Sequence, residues 1–347
     1  MYRWALDKDK PAVMALWAKG FEHYEPYYSW YFSTVYRPEL TLCDFKGLHL
    51  AAMLQISPYT LQLRGAALKV AYLVGVITDP DFRGQGRGHA LLQEALGFLA
   101  QQGYAAALLY TDIPAFYAPL GYRHCYTRQQ LSLPAGMFPL LTAQPHSKIA
   151  WRAGSLRDDI SVLSDIYTGM TESYHGYIRR TAKDWKKYLG EHHCDKALLS
   201  LAESRAYLLY TVDDEKLHVI ELGFACADTL AEALAKAACL AAAAGVTCIT
   251  WPAPPDAPQL LPHIPADFWQ RRPFVMARLI NWLSATEALA CPESVLPILA
   301  RLDTATRTQL IFGVAGSLEG CSELTPPEQR YLTELFPPLP LWVNEYT

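Results

Sequence analysis

Val70-Ala71-Tyr72-Leu73-Val74-Gly75-Val76-Ile77-Thr78, the turn Asp79-Pro80-Asp81, and then Phe82-Arg83-Gly84-Gln85-Gly86-Arg87-Gly88 run from an apolar strand pattern into a glycine-rich loop. Beyond the loop Ala90, Leu91, Leu92, Ala95, Leu96, Phe98 and Leu99 recur at helical spacing, Gly103 ends the helix, and 105–110 reads as a further strand. Alternating glycines leave backbone N–H groups unshielded at a helix N-terminus, where the dipole favours an anion. Better-known phosphate loops do not fit: no Gly-Lys-Ser/Thr triplet follows, and the third glycine of a dinucleotide fingerprint falls on His89. The pattern is strand, anion-binding loop, helix, strand, and it implies an α/β fold.

Upstream, 2–6 reads as a strand and Asp7 as the cap of a helix over 9–19 with Val13, Met14, Leu16 and Trp17 on its apolar side. Residues 21–36 are crowded with aromatics, which suits a helix packed through its aromatic face and one wall of an acceptor pocket. Between 40 and 78 apolar alternation, reversed at Lys46-Gly47 and Arg64-Gly65, implies an antiparallel meander. Downstream, 112–122 is a short helix between prolines, and a strand over 126–133 should complete the unit. Pro134 to Pro145 has linker composition, which puts a boundary near 145. Helices over 155–170, 185–189 and 229–243 and strands over 197–201, 206–211, 217–224 and 246–251 then repeat the first order, with Ala225-Cys226-Ala227-Asp228 where the glycine loop stood. A closing strand over 274–279, a helix over 292–302, a strand over 309–314, a helix over 324–335 and an apolar, docked tail follow. Three domains are expected: 1–145, 146–281 and 282–347.

Thirty basic and 34 acidic residues among 347 give a formal charge of −4 without a basic run, which gives electrostatic nucleic-acid binding little support and suits a small or cationic ligand. Eight cysteines lie scattered without a CxxC, and Met1-Tyr2-Arg3-Trp4 leads into charge, so a reduced, cytoplasmic protein is expected. The apolar stretch 234–249 is broken by Lys236 and Gly245 and reads as a helix and a strand, with no membrane association expected. His192-His193-Cys194 reads as an exposed loop, and no metal is expected.

Arg83, Gly86 and Gly88 meet the pattern Arg/Gln-x-x-Gly-x-Gly/Ala, and Phe116-Tyr117-x-x-Leu120-Gly121-Tyr122 follows at matching distance. Together they resemble the GNAT superfamily of acetyl-CoA-dependent N-acetyltransferases. The resemblance implies tandem GNAT folds, mixed central sheets flanked by helices, with a small α+β C-terminal region. It implies that the amides of Arg83, Gly84, Gln85, Gly86, Arg87 and Gly88 hold the CoA pyrophosphate, with charge from Arg83 and Arg87. Val74, Val76 and Ile77 would pair with the pantetheine arm, and Tyr117 would protonate the leaving thiolate as a tetrahedral intermediate collapses. For the base, 72–78 holds no carboxylate, and Glu22, Glu25, Asp112 and His124 are candidates by neighbourhood. The layout also resembles the Eis-like (enhanced intracellular survival) acetyltransferases, whose C-terminal region resembles sterol carrier proteins and whose terminal carboxylate acts as base. That would make Thr347 the base. Glu22, Tyr24, Glu25 and Tyr28, from the aromatic and acidic segment 21–36, are the candidate contacts to the acceptor, a primary amine of a small cationic molecule or a lysine. The resemblance suggests a homo-oligomer. The rivals are a non-catalytic acyl-CoA-binding or regulatory protein and a hydrophobic-ligand carrier using the C-terminal region.

Overall fold

A computed structural model describes residues 1–21, 24–142, 150–203 and 205–345. The chain forms two compact units, the first holding Met1–Cys125, Phe274–Leu339 and Glu345, the second Tyr126–Pro273 and Pro340–Asn344. This division differs from the expected 1–145, 146–281 and 282–347.

In the first unit, strands β1 (Tyr2–Trp4), β2 (Thr41–Lys46), β3 (His49–Leu63), β4 (Ala66–Thr78), β5 (Ala106–Tyr110) and β6 (Arg123–His124) share a sheet with Val275–Leu279. The order is β1, β2, β3, β4, β5, then Val275–Leu279, then β6, and only the β4–β5 pair is parallel. The meander is as the alternation implied. Arg64 (φ 50°) and Gly65 (φ 84°) are both left-handed, the geometry of a two-residue hairpin turn that matches strand twist. Helix α1 (Lys10–Gly20) covers one sheet face, where Val13, Trp17, Met53 and Ile77 meet Tyr31 and Phe32. The aromatic segment is not one regular helix: α2 (Tyr27–Trp30) passes into a wider π-turn over Tyr31–Val35. Helix α3 (Arg87–Gln101) covers the other face with Leu91, Leu92, Ala95 and Leu99, each leucine contributing about 1.5–3 kcal/mol of burial. Asp7 does not cap α1. Asp9 takes the local role instead, accepting from the Leu6 amide (2.8 Å) and pairing with Arg3 (2.6 Å).

Two strands belong elsewhere than the sequence suggested. Thr127–Pro134, expected to complete the first unit, pairs with Cys248–Ala253 and Trp269–Pro273 in the second unit's sheet. Val275–Leu279, expected to close the second, lies between β5 and β6 of the first. The expected strand over 309–314 is instead the end of helix Thr304–Phe312, where Asp303 caps Thr306 and Gly313 is left-handed. With Trp282–Ala288, Leu296–Arg301 and Pro326–Leu335 this region is helical among its described residues and belongs to the first unit. Arg64 ties it down, donating to the carbonyls of Ile311 and Pro337 at 2.8 Å each.

The second unit's sheet orders Trp269–Pro273, Thr127–Pro134, Cys248–Ala253, Lys216–Phe224, Ala206–Val212, Leu198–Ala202 and Arg152–Ala153. Lys216–Phe224 and Cys248–Ala253 are parallel and joined by helix Ala227–Ala244, repeating the strand–helix–strand order of β4, α3 and β5. Helix Ala182–Cys194 contains His192-His193-Cys194, so the expected exposed loop is a helix end, with His192 buried edge-on against Tyr188. In this unit's core Arg180 forms a two-pronged ion pair with Glu221 (2.7 Å on each arm), and Glu221 also accepts from Tyr207 (2.6 Å) and Asn344 (3.2 Å). Among the described residues no helix is long and apolar enough to cross a membrane.

Candidate active site

The register of β4 creates an opening. Its parallel pairing with β5 runs from Val70–Ala106 to Tyr72–Leu108 and stops there, while β4 continues to Thr78. On its other edge the pairing with β3 steps from Met53–Ile77 to Gln55–Val74, so Gly75 and Val76 together oppose Leu54 in a bulge. Gly75 (φ +60°) allows it, and a Cβ there would lie 2.6 Å from the Trp17 ring. Such a bulge bends its strand, and with the β5 pairing ending at Tyr72, residues 73–78 of β4 lie open along that edge.

Past Thr78 the chain folds a 3-10 turn capped by Asp79, whose carboxylate accepts from the Asp81 amide at 3.1 Å. Lys19 (2.7 Å) and His49 (2.9 Å) also grip Asp79, and the Lys19 bond above all holds its pKa down to about 2. The loop is thus fixed at its root. The Arg83 amide closes this turn on Pro80 (3.3 Å), so it does not join the open donors as expected. The amides of Gly84, Gln85, Gly86, Arg87 and Gly88 have no partner among the described residues. Gly84 (φ +73°) and Gly86 (φ +72°) give the loop its curvature, and α3 starts directly on it. At Gly88 a Cβ would come within 2.9 Å of the Phe116 ring, so glycine permits the close packing of α3 on helix α4 (Pro114–Tyr117).

These elements surround a cavity of about 990 Å³ within the first unit, lined by β4 from Leu73 to Thr78, the loop, Tyr110, Asp112, Phe116 and Tyr117, and on another side Trp17, Phe21 and Tyr27. Of the expected donor-site residues Val74, Val76, Ile77, Arg83, Gly84, Gly86, Arg87 and Gly88 line it; Gln85 does not, and accepts from Arg87 at 3.4 Å. Arg87 departs from its expected phosphate role, because its guanidinium donates to the buried Asp44 at 2.5 Å and fixes α3 to β2. Arg83 donates only through Nε, to the Thr78 carbonyl at 3.2 Å, and keeps its terminal nitrogens without partners among the described residues.

Tyr117 lines the cavity, is 6 % exposed, and forms no hydrogen bond among the described residues. Burial pushes its pKa up to about 12, so the phenol carries its proton across the neutral range. The Phe116 and Tyr122 rings hold it edge-on at 5.0 and 5.9 Å. His89, in the helix position where a dinucleotide loop would want glycine, bonds the Phe116 carbonyl (2.7 Å) and stacks on its ring, a link between α3 and α4 with no local sequence signal.

The expected acceptor residues are mostly elsewhere. Tyr28 is buried with its hydroxyl on the Met14 carbonyl (2.9 Å), Glu25 accepts from the Ser29 hydroxyl (2.8 Å), and Tyr24 is exposed; none lines the cavity. They share a helix start, and helical turn spacing sends most of its aromatics into the core. Trp17, Phe21 and Tyr27 form the wall instead, the Trp17 ring 4.7 Å from Phe21 and 4.8 Å from Tyr31. Of the candidate bases Asp112 lines the cavity, accepting from Tyr110 at 3.1 Å. His124 lies in β6 away from it, its pKa lowered by burial. Glu22 and Thr347 lie outside the described residues.

The second unit lacks such a loop for a visible reason. Where its helix Ala227–Ala244 begins, the amides of Ala225 and Cys226 are both taken by the Thr229 hydroxyl at 3.0 Å.

Residues 1–125 match the model of an acetyltransferase (GNAT) domain, the span that forms the first continuous segment of the first unit. No curated protein matches the sequence. Among solved structures, the chain is similar to a GCN5-related N-acetyltransferase from Anabaena variabilis, with a TM-score of 0.84, 16% identity, and 100% of each chain covered. It is similar also to a GCN5-related N-acetyltransferase from Kribbella flavida, with a TM-score of 0.79, 16% identity, and 100% of this chain and 98% of that one covered. Eis1 from Mycobacterium abscessus aligns with a TM-score of 0.74 at 15% identity over 100% of each chain. At these identities the likeness is one of fold: a mixed α/β architecture whose first 125 residues match the GNAT acetyltransferase domain.

Proposed function

We propose that the chain is an acetyl-CoA-dependent N-acetyltransferase that transfers acetyl directly to a primary amine, through one active site in the first unit. The observation that carries this reading is that one cavity joins the open edge of β4, the loop residues Gly84, Gly86, Arg87 and Gly88 with their unpartnered amides, and a buried, protonated Tyr117. The fit to a CoA thioester is good. The amides of residues 84–88 at the start of α3 suit a pyrophosphate, Arg83 supplies a free cation beside them, and the open edge of residues 73–78 offers backbone partners to an amide-bearing arm. A bound thioester supplies the activated acetyl group.

The chain's own residues do the rest. Tyr117 holds a proton at Oη for the departing sulfur, and burial, which pushes its pKa up to about 12, keeps that proton in place across the neutral range. Asp112 is the one carboxylate among the described lining residues, and its charge draws an ammonium toward the cavity. Trp17, Phe21 and Tyr27 offer ring faces to the body of the amine and keep water away. The second unit, in which the Thr229 hydroxyl takes the amides of Ala225 and Cys226 before the helix, is read as a degenerate copy without donor binding.

Thiol release from acetyl-CoA, measured with small cationic amines and lysine peptides in turn, tests the reading. Release that depends on an amine is expected. Saturable CoA binding without release on any amine would replace it with a non-catalytic acyl-CoA-binding protein.

A further inference from the structure

A second cavity lies elsewhere in the first unit, with a volume of about 600 Å³ and no residue in common with the proposed active site. Its walls are the outer side of α3 (Gln93, Leu96, Gly97, Ala100), the turn Ala118 to Gly121, and Ile280, with Arg123, Arg278 and Asp303 supplying the charge. The two arginines come from adjacent strands, Arg123 from β6 and Arg278 from Val275–Leu279, where Arg123 pairs in register with Ala277.

Arg278 is the unusual member. Its Nε is buried without a hydrogen-bond partner, and the guanidinium forms no ion pair among the described residues. Burial pushes its pKa down from the ordinary arginine value, with the Tyr122 hydroxyl as the opposing influence. Arg123 spends one nitrogen on the carbonyls of Ala118 (2.9 Å) and Tyr122 (2.8 Å), which aims the group and leaves the other terminal nitrogen without a partner among the described residues. Asp303 offsets only part of that charge: its carboxylate is held ionised first by the Thr306 amide (2.8 Å) and hydroxyl (3.1 Å) and also by the charge of Arg123, but it forms no ion pair with either arginine among the described residues. Two guanidinium groups therefore face one carboxylate, which leaves an excess of positive charge. A half-buried charge without a partner is costly, and folded chains ordinarily supply one.

We propose that this cavity is a binding site for a small oxyanion, a phosphate or carboxylate group seated between Arg278 and Arg123, with room for a short apolar body against Leu96, Leu120 and Ile280. Guanidinium forks match the planar or tetrahedral spread of such oxygens. The volume suits a metabolite and not a polymer.

The test titrates inorganic phosphate into the full chain at low ionic strength by calorimetry, with CoA present at saturation so that the glycine loop cannot contribute. Sodium chloride at equal ionic strength is the control, and citrate in a separate titration reports the carboxylate arm. The wild type is expected to bind one phosphate or citrate per chain. Arg278→Met and Arg123→Met should each weaken that binding about tenfold or more. In phosphate-free buffer Arg278→Met should melt no lower than wild type, and phosphate should raise the wild-type melting temperature only. If Arg278→Met does not fold, Arg123→Met decides alone. Absence of saturable binding by either anion, or equal binding in wild type and the folded variants, would overturn the proposal, as would an Arg278→Met loss of stability that phosphate does not alter.

Discussion

Residues that look alike in the glycine loop do different work, and Arg83 and Arg87 show it. Arg83 keeps free nitrogens at the cavity, whereas Arg87 is committed to Asp44. Arg83→Ala should therefore raise the KM for acetyl-CoA about fivefold to tenfold with the melting temperature nearly unchanged. Arg87→Ala should mainly cost stability, about 1–3 kcal/mol, because it leaves the buried Asp44 carboxylate with the more distant Met1 ammonium (3.2 Å) as its remaining cation; thermal denaturation beside acetyl-CoA kinetics separates them, and a reversed pattern would exchange the roles. Asp79 carries a pH dependence. Its folded pKa, near 2, lies below the unfolded value of 3.8, so its stabilising contribution is full above about pH 4 and is lost as pH falls towards 2. Asp79→Asn should flatten the acid limb of the stability curve between those values, as followed by circular dichroism. An unchanged acid limb would mean that Lys19 and His49 do not hold the charge in solution.

At the scale of elements, the bulge in β4 is the feature on which the opening depends. Gly75→Ala meets both a left-handed backbone and the Trp17 ring, and should cost about 1–3 kcal/mol and weaken acetyl-CoA binding together. Isothermal titration against urea denaturation tests this, and a stable variant with normal binding would remove the bulge from the argument. The loop, α3, the hairpin at Arg64-Gly65 and the placing of Tyr117 were legible in the sequence, because local spacing and glycine positions determine them. Strand partners were not. Thr127–Pro134 and Val275–Leu279 both read as edge closers of the unit nearest in sequence, yet each joins the other sheet, since pairing is decided by non-local burial that periodicity does not encode. The aromatic wall of the cavity was half legible: the crowded segment does contribute Phe21 and Tyr27 to the lining, while Tyr24, Glu25 and Tyr28 do not line it. Asp112 was in the sequence reading only as one of four neighbours, and His89 carried no signal.

For the molecule as a whole, two units of similar strand–helix–strand order have different polar interiors. The first leaves its helix-start amides open to a cavity; the second spends the amides of Ala225 and Cys226 on the Thr229 hydroxyl and buries Arg180 and Glu221 among Tyr167, Trp185, Tyr188 and Tyr207. Burial works to raise the Glu221 pKa, but the Arg180 guanidinium with Tyr207 and Asn344 overrides it and holds it low. Glu221→Ala should cost about 3–5 kcal/mol by stranding Arg180, and a double Arg180→Met, Glu221→Leu variant should recover much of that, as read from urea denaturation; equal losses in both would assign the effect to packing. One consequence of a single site can be measured at the chemistry itself. Tyr117→Phe should lower amine-dependent thiol release from acetyl-CoA about 100-fold or more while the calorimetric Kd for CoA stays within about twofold of wild type. Undiminished release by the folded variant would contradict the placing of the acid at Tyr117 and, with it, the reading of this cavity as the acetyl-transfer site.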